Sequence, residues 1–165
     1  MAPATEQTLA EIDGMLMRQT AGQFATGVTV VTYEHEGENF GATVNSFTSV
    51  SLDPALLLVS LGRFLRSHDA LVGIKGFAIS ILAEGQQEVA DRFARRDGPK
   101  WQDFGFRRGA AGGLMVEGAL ACFDCRHHRA VPAGDHTLLI GEVLAVGHDP
   151  DRHPLLFHRG SYRRF

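Results

Sequence analysis

Val28-Thr29-Val30-Val31-Thr32-Tyr33, the turn Glu36-Gly37-Glu38, and the run from Asn39 to Phe47 decide the fold. β-branched and aromatic residues crowd the first run, and a glycine-centred turn leads directly into the second, which predicts a β-hairpin. Moving outward, Leu52-Asp53-Pro54 reads as a turn, and Ala55 to Leu61 and Phe77 to Leu82 read as apolar strands. Gly118 to Ala130 and Thr137 to Gly147 are long strand candidates, and Leu155-Leu156-Phe157 is a short last one.

Helices are fewer. Leu9, Ile12, Leu16 and Met17 recur at helical spacing across Leu9 to Gln23, and Phe24 extends the stripe. Ser67 to Val72 fits a short helix with Ser67 as its N-cap. Glu84 to Asp97 carries Val89, Ala90, Phe93 and Ala94 on one face and charges elsewhere, the pattern of an amphipathic surface helix. Met1 to Thr8 read as a flexible terminus. Asp97 to Gly113 is a glycine-rich irregular loop holding the lone Trp101, and a loop of that length is expected to be functional. About seven strands without a regular helix alternation predict a mainly β fold with flanking helices, an antiparallel barrel or sandwich.

The chain has 165 residues, 44% of them hydrophobic, which suits a single domain spanning 1–165 with a core of its own. Sixteen Lys+Arg against nineteen Asp+Glu give a net charge of -3, without the basic stripe of a nucleic-acid binder. Two cysteines exclude a disulfide scaffold and suit a reducing cytoplasm. No apolar run approaches the ~20 residues needed to cross a bilayer. The acidic Glu6, Glu11 and Asp13 do not resemble the start of a secretory signal.

The densest polar cluster is Thr43-Val44-Asn45-Ser46-Phe47-Thr48-Ser49. Its hydroxyls, amide and backbone donors can hydrogen-bond a flat heterocycle while Phe47 packs against it; the plainer reading is a solvent-facing strand with one buried ring. Arg63, Arg66 and Ser67 stand where a helix begins, a natural phosphate site or simply a capped helix with solvated arginines. Cys122 and Cys125 are spaced like a metal or redox pair, but on a strand they point to opposite faces, so they read as structural cysteines. No metal site is expected. His136 follows Gly134-Asp135 in a turn and is either a cofactor contact, a general acid or a turn residue. Gly-x-Gly-x-x-Gly after a strand, Gly-x4-Gly-Lys-[Ser/Thr] and Gly-x-Ser-x-Gly are all missing.

The order of segments carries more than any one of them. Phe24 to Thr32 (FATGVTVVT), Gly41 to Phe47 (GATVNSF) and Ser49 to Pro54 precede Arg66-Ser67, Lys100-Trp101 and Leu120 to Cys125. Gly134 to His136, Ile140 to Val143 and Leu155 to Tyr162 follow. From Gln19 to Tyr162 the chain resembles the flavin reductase-like family, the small NAD(P)H:flavin oxidoreductases that supply two-component monooxygenases. The resemblance implies a Greek-key antiparallel split β-barrel, a homodimer, and FMN or FAD bound near the subunit interface with NADH or NADPH as hydride donor.

It further implies site residues. Thr43, Val44, Asn45, Ser46 and Phe47 would run along the flavin ring and ribityl chain, and Ser60, Leu61, Arg66 and Ser67 would lie near its phosphate. His136, the one catalytic candidate, would border the nicotinamide, and His158 and Tyr162 would close the pocket. A partner flavin-dependent monooxygenase would receive the product. The alternative is a flavin- or haem-binding split barrel without turnover, a carrier or sensor.

Overall fold

The computed structural model describes residues 9–65, 68–97 and 100–165. In chain order, helix α1 (Gly14–Ala21) precedes strands β1 (Thr26–Gly27), β2 (Thr29–His35), β3 (Glu38–Val44), β4 (Thr48–Leu52) and β5 (Ala55–Gly62). A 3-10 turn over His68–Val72 leads to β6 (Gly76–Ile81), and a second one, Glu84–Gln86, leads to α2 (Gln87–Ala94). Then come β7 (Phe106–Arg108), β8 (Leu114–Val116), β9 (Ala121–Ala133), β10 (His136–His148), β11 (Leu156–His158) and β12 (Ser161–Arg163).

The hairpin read from the sequence is there. β2 pairs antiparallel with β3 from Thr29↔Val44 to His35↔Glu38. Glu36 and Gly37 both have positive φ, 52° and 81°, as a two-residue turn matched to strand twist requires. The Glu34 carboxylate accepts from the Gly37 N–H at 2.8 Å.

Strand β3 stops at Val44, three residues short of the expected Phe47, and the reason is topological. The seven-stranded antiparallel sheet runs β3-β2-β6-β9-β10-β5-β4, so β3 and β4 lie at its opposite edges. Only Asn45, Ser46 and Phe47 separate them in sequence. Four residue steps cover at most about 14 Å, so the two edges must meet and the sheet curls into a barrel. Ser46 fastens the join: its hydroxyl donates to the Ser60 carbonyl at 3.0 Å and accepts from the Ser60 N–H at 2.8 Å. The fold is a mainly β, antiparallel split barrel, split at 45–47.

Alternate residues of the sheet feed two apolar clusters. Val31, Tyr33, Leu57, Val59, Leu61, Phe77, Ile79, Cys125 and Leu139 fill the barrel, with Phe47 and Phe123 packed against them. Val28, Val30, Leu82, Val116 and Leu155 form the outer cluster with Val89, Ala90 and Phe93 of α2; Ala94, expected on the same face, is exposed. Two buried hydroxyls of the outer face, those of Thr32 and Ser80, are matched. Thr32 Oγ1 donates to the Leu114 carbonyl and accepts from its N–H, both at 2.7 Å, and Ser80 Oγ accepts from Val116 N–H at 2.9 Å.

Several expected boundaries move. The first helix begins at Gly14 rather than Leu9 because the Asp13 carboxylate caps the Leu16 N–H at 2.7 Å. It buries none of its residues; Met15, Met17 and, beside it, Ile12 and Phe24 are exposed. The helix expected over Glu84–Asp97 is a 3-10 turn followed by two turns of α-helix, ending where Arg95 becomes extended. The helix expected over Ser67–Val72 is a 3-10 turn from His68, and Ser67 lies outside the described residues, as do 1–8. The strand expected from Gly118 starts at Ala121, since Gly118 takes a φ of 71° in a turn.

The stretch expected as an irregular loop holds a short strand and much aromatic packing. β7 pairs with β8, and Trp101 sits edge-on to Phe93 at 5.1 Å and to Phe106 at 5.3 Å, closing the outer cluster. Among the described residues, no helix is long and apolar enough to cross a membrane.

Candidate functional site

The seam leaves chemistry exposed. Among the described residues, no backbone group of Asn45, Ser46 or Phe47 bonds to another backbone group, so these donors and acceptors are free of the sheet ladder. Asn45 is exposed, and Phe47 is half-buried against Phe123 at 5.6 Å. Beside them opens a cleft of about 320 Å³ lined by Phe24, Ala25, Thr26, Gly27, Thr29, Asn45, Phe47 and Ile81.

The cleft has two aromatic walls and a polar lip. Thr26 Oγ1 is buried there without a hydrogen-bond partner. An orphaned hydroxyl beside an open cleft is what a ligand with polar edges would satisfy. Phe24 and Thr26 were not among the sequence candidates. Phe24 extended the apolar stripe of the first helix, and the pairing of Thr29 with Val44 brings the chain just before β2 beside Asn45.

The other candidates divide. Thr43 faces outward, its hydroxyl donating to the Ala90 carbonyl of α2 at 2.7 Å, so that hydroxyl docks the helix. Val44 packs on the barrel core. Ser46 and Ser60 satisfy one another, and the Leu61 side chain is fully buried in the barrel, leaving only backbone to face outward. Arg66 and Ser67 lie outside the described residues. His158 is half-buried and pairs with Ser161 across the β11–β12 turn. Tyr162 is half-buried against the outer cluster, with Asp91 near its hydroxyl. Burial, with the Asp91 carboxylate behind it, pushes that phenol up to about 12, so it stays protonated across the physiological range.

His136 stands apart from the cleft. It opens β10 opposite Gly62 of β5, two residues along from Leu138, which is level with Ser60 at the seam. Two residues of strand are about 7 Å. The ring is half-exposed, its Nδ1 lies 2.7 Å from the Asp135 carboxylate, and it meets Phe64 edge-on at 6.4 Å. The hydrogen bond and charge of His136 hold the Asp135 carboxyl below the usual carboxylate range. With Nδ1 engaged, Nε2 is the ring nitrogen left for a ligand.

A larger cleft lies elsewhere. About 470 Å³ in volume, it is lined by Arg107, Glu117, Cys122, His148, Asp149 and Arg152, among others, on the sheet face opposite to Ile81. Its carboxylates offset its guanidinium groups, and Asp149 already holds Arg152 at 2.8 Å. Burial raises the Cys122 thiol, so no thiolate nucleophile stands there. Cys125 points the other way into the barrel, and burial, with Asp124 adding to it, pushes its thiol up to about 12 from an ordinary 9.0. That thiol favours the fold below about pH 9, and the contribution is lost as pH rises toward 12. Among the described residues, no cluster of three His, Cys, Asp or Glu side chains is placed to hold a metal ion.

Comparison with known proteins follows this geometry. The family model described as Flavin reductase like domain matches residues 21–165. The chain is 42% identical over 148 residues to the FMN reductase (NADH) SmoA of Agrobacterium fabrum, covering 90% of this chain and 84% of that one. It superimposes with a TM-score of 0.88 on the Streptomyces globisporus C-1027 NADH:FAD oxidoreductase SgcE6, solved in complex with NAD and FAD fragments. The identity there is 38%, with 94% of this chain and 97% of that one covered. The styrene monooxygenase flavin reductase of Pseudomonas putida S12 gives 0.80 at 39% identity, covering 88% and 94% of the two chains.

Proposed function

This chain belongs to the flavin reductase like domain family, and we propose from that premise how it works: it moves hydride from a reduced nicotinamide nucleotide to FMN or FAD and releases the reduced flavin to a separate monooxygenase. The observation that carries the reading is the cleft at the barrel seam, where free backbone groups, the Asn45 amide and the orphaned Thr26 hydroxyl meet two aromatic walls. Those residues fit a planar heterocycle with a polar edge. Bound flavin supplies the hydride-accepting ring, which no side chain of this chain can replace.

The rest is the protein's work. Phe24 and Phe47 offer apolar contact to a flat ring, while Asn45 and the unpaired N–H groups of 45–47 offer donors to its polar edge. Such donors stabilise negative charge where it develops, and they are fixed beforehand by the Ser46–Ser60 clasp. Arg66 and Ser67 are assigned to the flavin phosphate, with the Leu61 backbone and the Ser60 hydroxyl beside them. His136, oriented by Asp135, presents Nε2 to the nicotinamide nucleotide; its part is to bind and orient, since hydride transfer needs no proton. His158 and Tyr162 border the site from β11 and β12.

SmoA and SgcE6 are both named for NADH, which supports NADH as donor here. The styrene monooxygenase flavin reductase likeness supports an oxygenase as recipient. A haem carrier is less well supported, because no His or Cys is among the residues lining the cleft. Purified protein given NADH and FMN or FAD should consume NADH at 340 nm well above the free-flavin background. A rate equal to background would end the reductase reading and leave the carrier.

His136→Ala should raise the KM for NADH about tenfold, the size of one good polar contact, while flavin affinity changes little. An unchanged NADH KM would remove His136 from the site.

We read the whole chain as one domain, because Val30 and Val31, neighbours on β2, belong to the two different apolar clusters. A homodimer accounts for the exposed apolar residues Ile12, Met15 and Met17 near α1, and Leu144 and Val146 on β10. Light scattering should return about twice the mass of a single chain; the mass of one chain would show those surfaces to be covered by something else. Both cysteines are free thiols, which supports a cytoplasmic setting.

A further inference from the structure

Phe64 is a large aromatic residue that is 72% exposed, yet its ring is held in place. Gly62 leaves the space it occupies: a Cβ there would run into the Phe64 ring at Cε1, Cδ1 and Cζ. The ring therefore lies over the end of β5, where any other residue at 62 would displace it. The Arg63 N–H donates to the Asp135 carbonyl at 2.9 Å, tying this corner to the turn before β10. His136 completes the frame, its ring perpendicular to Phe64 at 87° and 6.4 Å between centroids. One side of Phe64 is thus supported by backbone, one edge by an imidazole, and the remaining face is open to solvent.

An open, fixed aromatic face costs solvation and contributes nothing to either apolar cluster; Phe64 belongs to neither. It stands beside the residue assigned to the nicotinamide nucleotide and one short strand segment from the seam assigned to flavin. Both reactants of such an enzyme can carry the same second flat group, adenine. We propose that the exposed face of Phe64 is a stacking platform for the adenine of a dinucleotide, making Phe64 a residue that favours dinucleotide over mononucleotide substrates. This rests on the reductase reading above. Stacking needs only a π-face, so the platform serves FAD or NADH by the same contact.

The test compares substrates with and without adenine on Phe64→Ala, Phe64→Trp and the unaltered protein. The pairs are NADH against reduced nicotinamide mononucleotide, and FAD against FMN. Loss of one-sided stacking should lower kcat/KM for a dinucleotide about tenfold in Phe64→Ala. The matching mononucleotide should hold within about twofold, and Phe64→Trp should restore the dinucleotide. Which pair separates tells whether the adenine is that of the hydride donor or of the flavin. Equal losses within both pairs, or no loss in either, would overturn the platform. A protein that oxidises no NADH with any flavin before mutation would fail at the reductase reading instead, so the two failures are distinguishable. Because Phe64 lies outside both cores, the melting temperature should hold in each variant, and a fall with Phe64→Ala that Phe64→Trp repairs without any substrate discrimination would show a packing role.

Discussion

Asn45→Ala and Ser46→Ala, adjacent changes in one short seam, should fail in opposite ways. Asn45 is exposed at the cleft and has no bonded partner among the described residues, so its loss should leave the melting temperature unchanged. Flavin affinity should fall about tenfold as the cleft loses its amide. Ser46 holds both backbone groups of Ser60, at 2.8 and 3.0 Å. Removing its hydroxyl strands a part-buried donor and acceptor, worth about 2 kcal/mol. In a chain of this length that is about 4–8 °C in melting temperature. Flavin binding should also weaken in Ser46→Ala, because the seam donors lose their anchor. Thermal unfolding and flavin titration on the two variants decide the matter: equal melting losses would mean that Asn45 is structural, and no loss in Ser46→Ala would mean that the clasp is dispensable.

The largest stability effect is expected at Gly113, in the turn between β7 and β8. A Cβ there would lie 2.7 Å from Ala78 Cβ and 2.7 Å from the Phe77 carbonyl carbon, and closer still to the Ala78 backbone nitrogen. Backbone cannot rotate away as a side chain can. Gly113→Ala should therefore push β8 off β6 and cost about 3 kcal/mol or more, roughly 6–12 °C. Gly85→Ala is the control, since nothing lies within 4 Å of its Cβ position. Comparable melting temperatures for the two variants would show that β8 can lift from β6 without penalty.

The two effects fall on parts of the chain that the sequence disclosed unequally. The β2–β3 hairpin was legible because its apolar content and its turn residues lie within twenty positions. The long strands β9 and β10 were legible for the same local reason. β4, β7, β8 and β12 were not. They are three to five residues long, and β4, Thr-Ser-Val-Ser-Leu, shows no apolar face because pairing with β5 places it rather than burial. The polar run 43–47 stood out as a site, but spacing cannot say what each hydroxyl touches. Thr43 is taken by Ala90, and Ser46 by Ser60; the first contact depends on where α2 docks and the second on barrel closure. Phe24 and Thr26 were missed because their apolar and hydroxyl character is ordinary until Thr29 pairs with Val44 and sets them beside Asn45. Phe64 showed nothing in the sequence beyond one aromatic among eleven phenylalanines.

Strand β2 serves two interiors at once, with Val31 and Tyr33 turned one way and Val30 and Thr32 the other. A slip of one position would exchange the two sets, bringing the Thr32 hydroxyl into the barrel away from Leu114 and thrusting Tyr33 under the helix. No slip by an odd number of residues keeps both interiors filled. Inserting a single residue inside β2 thus disorganises both halves together, whereas lengthening the Glu36–Gly37 bend only enlarges a loop in water.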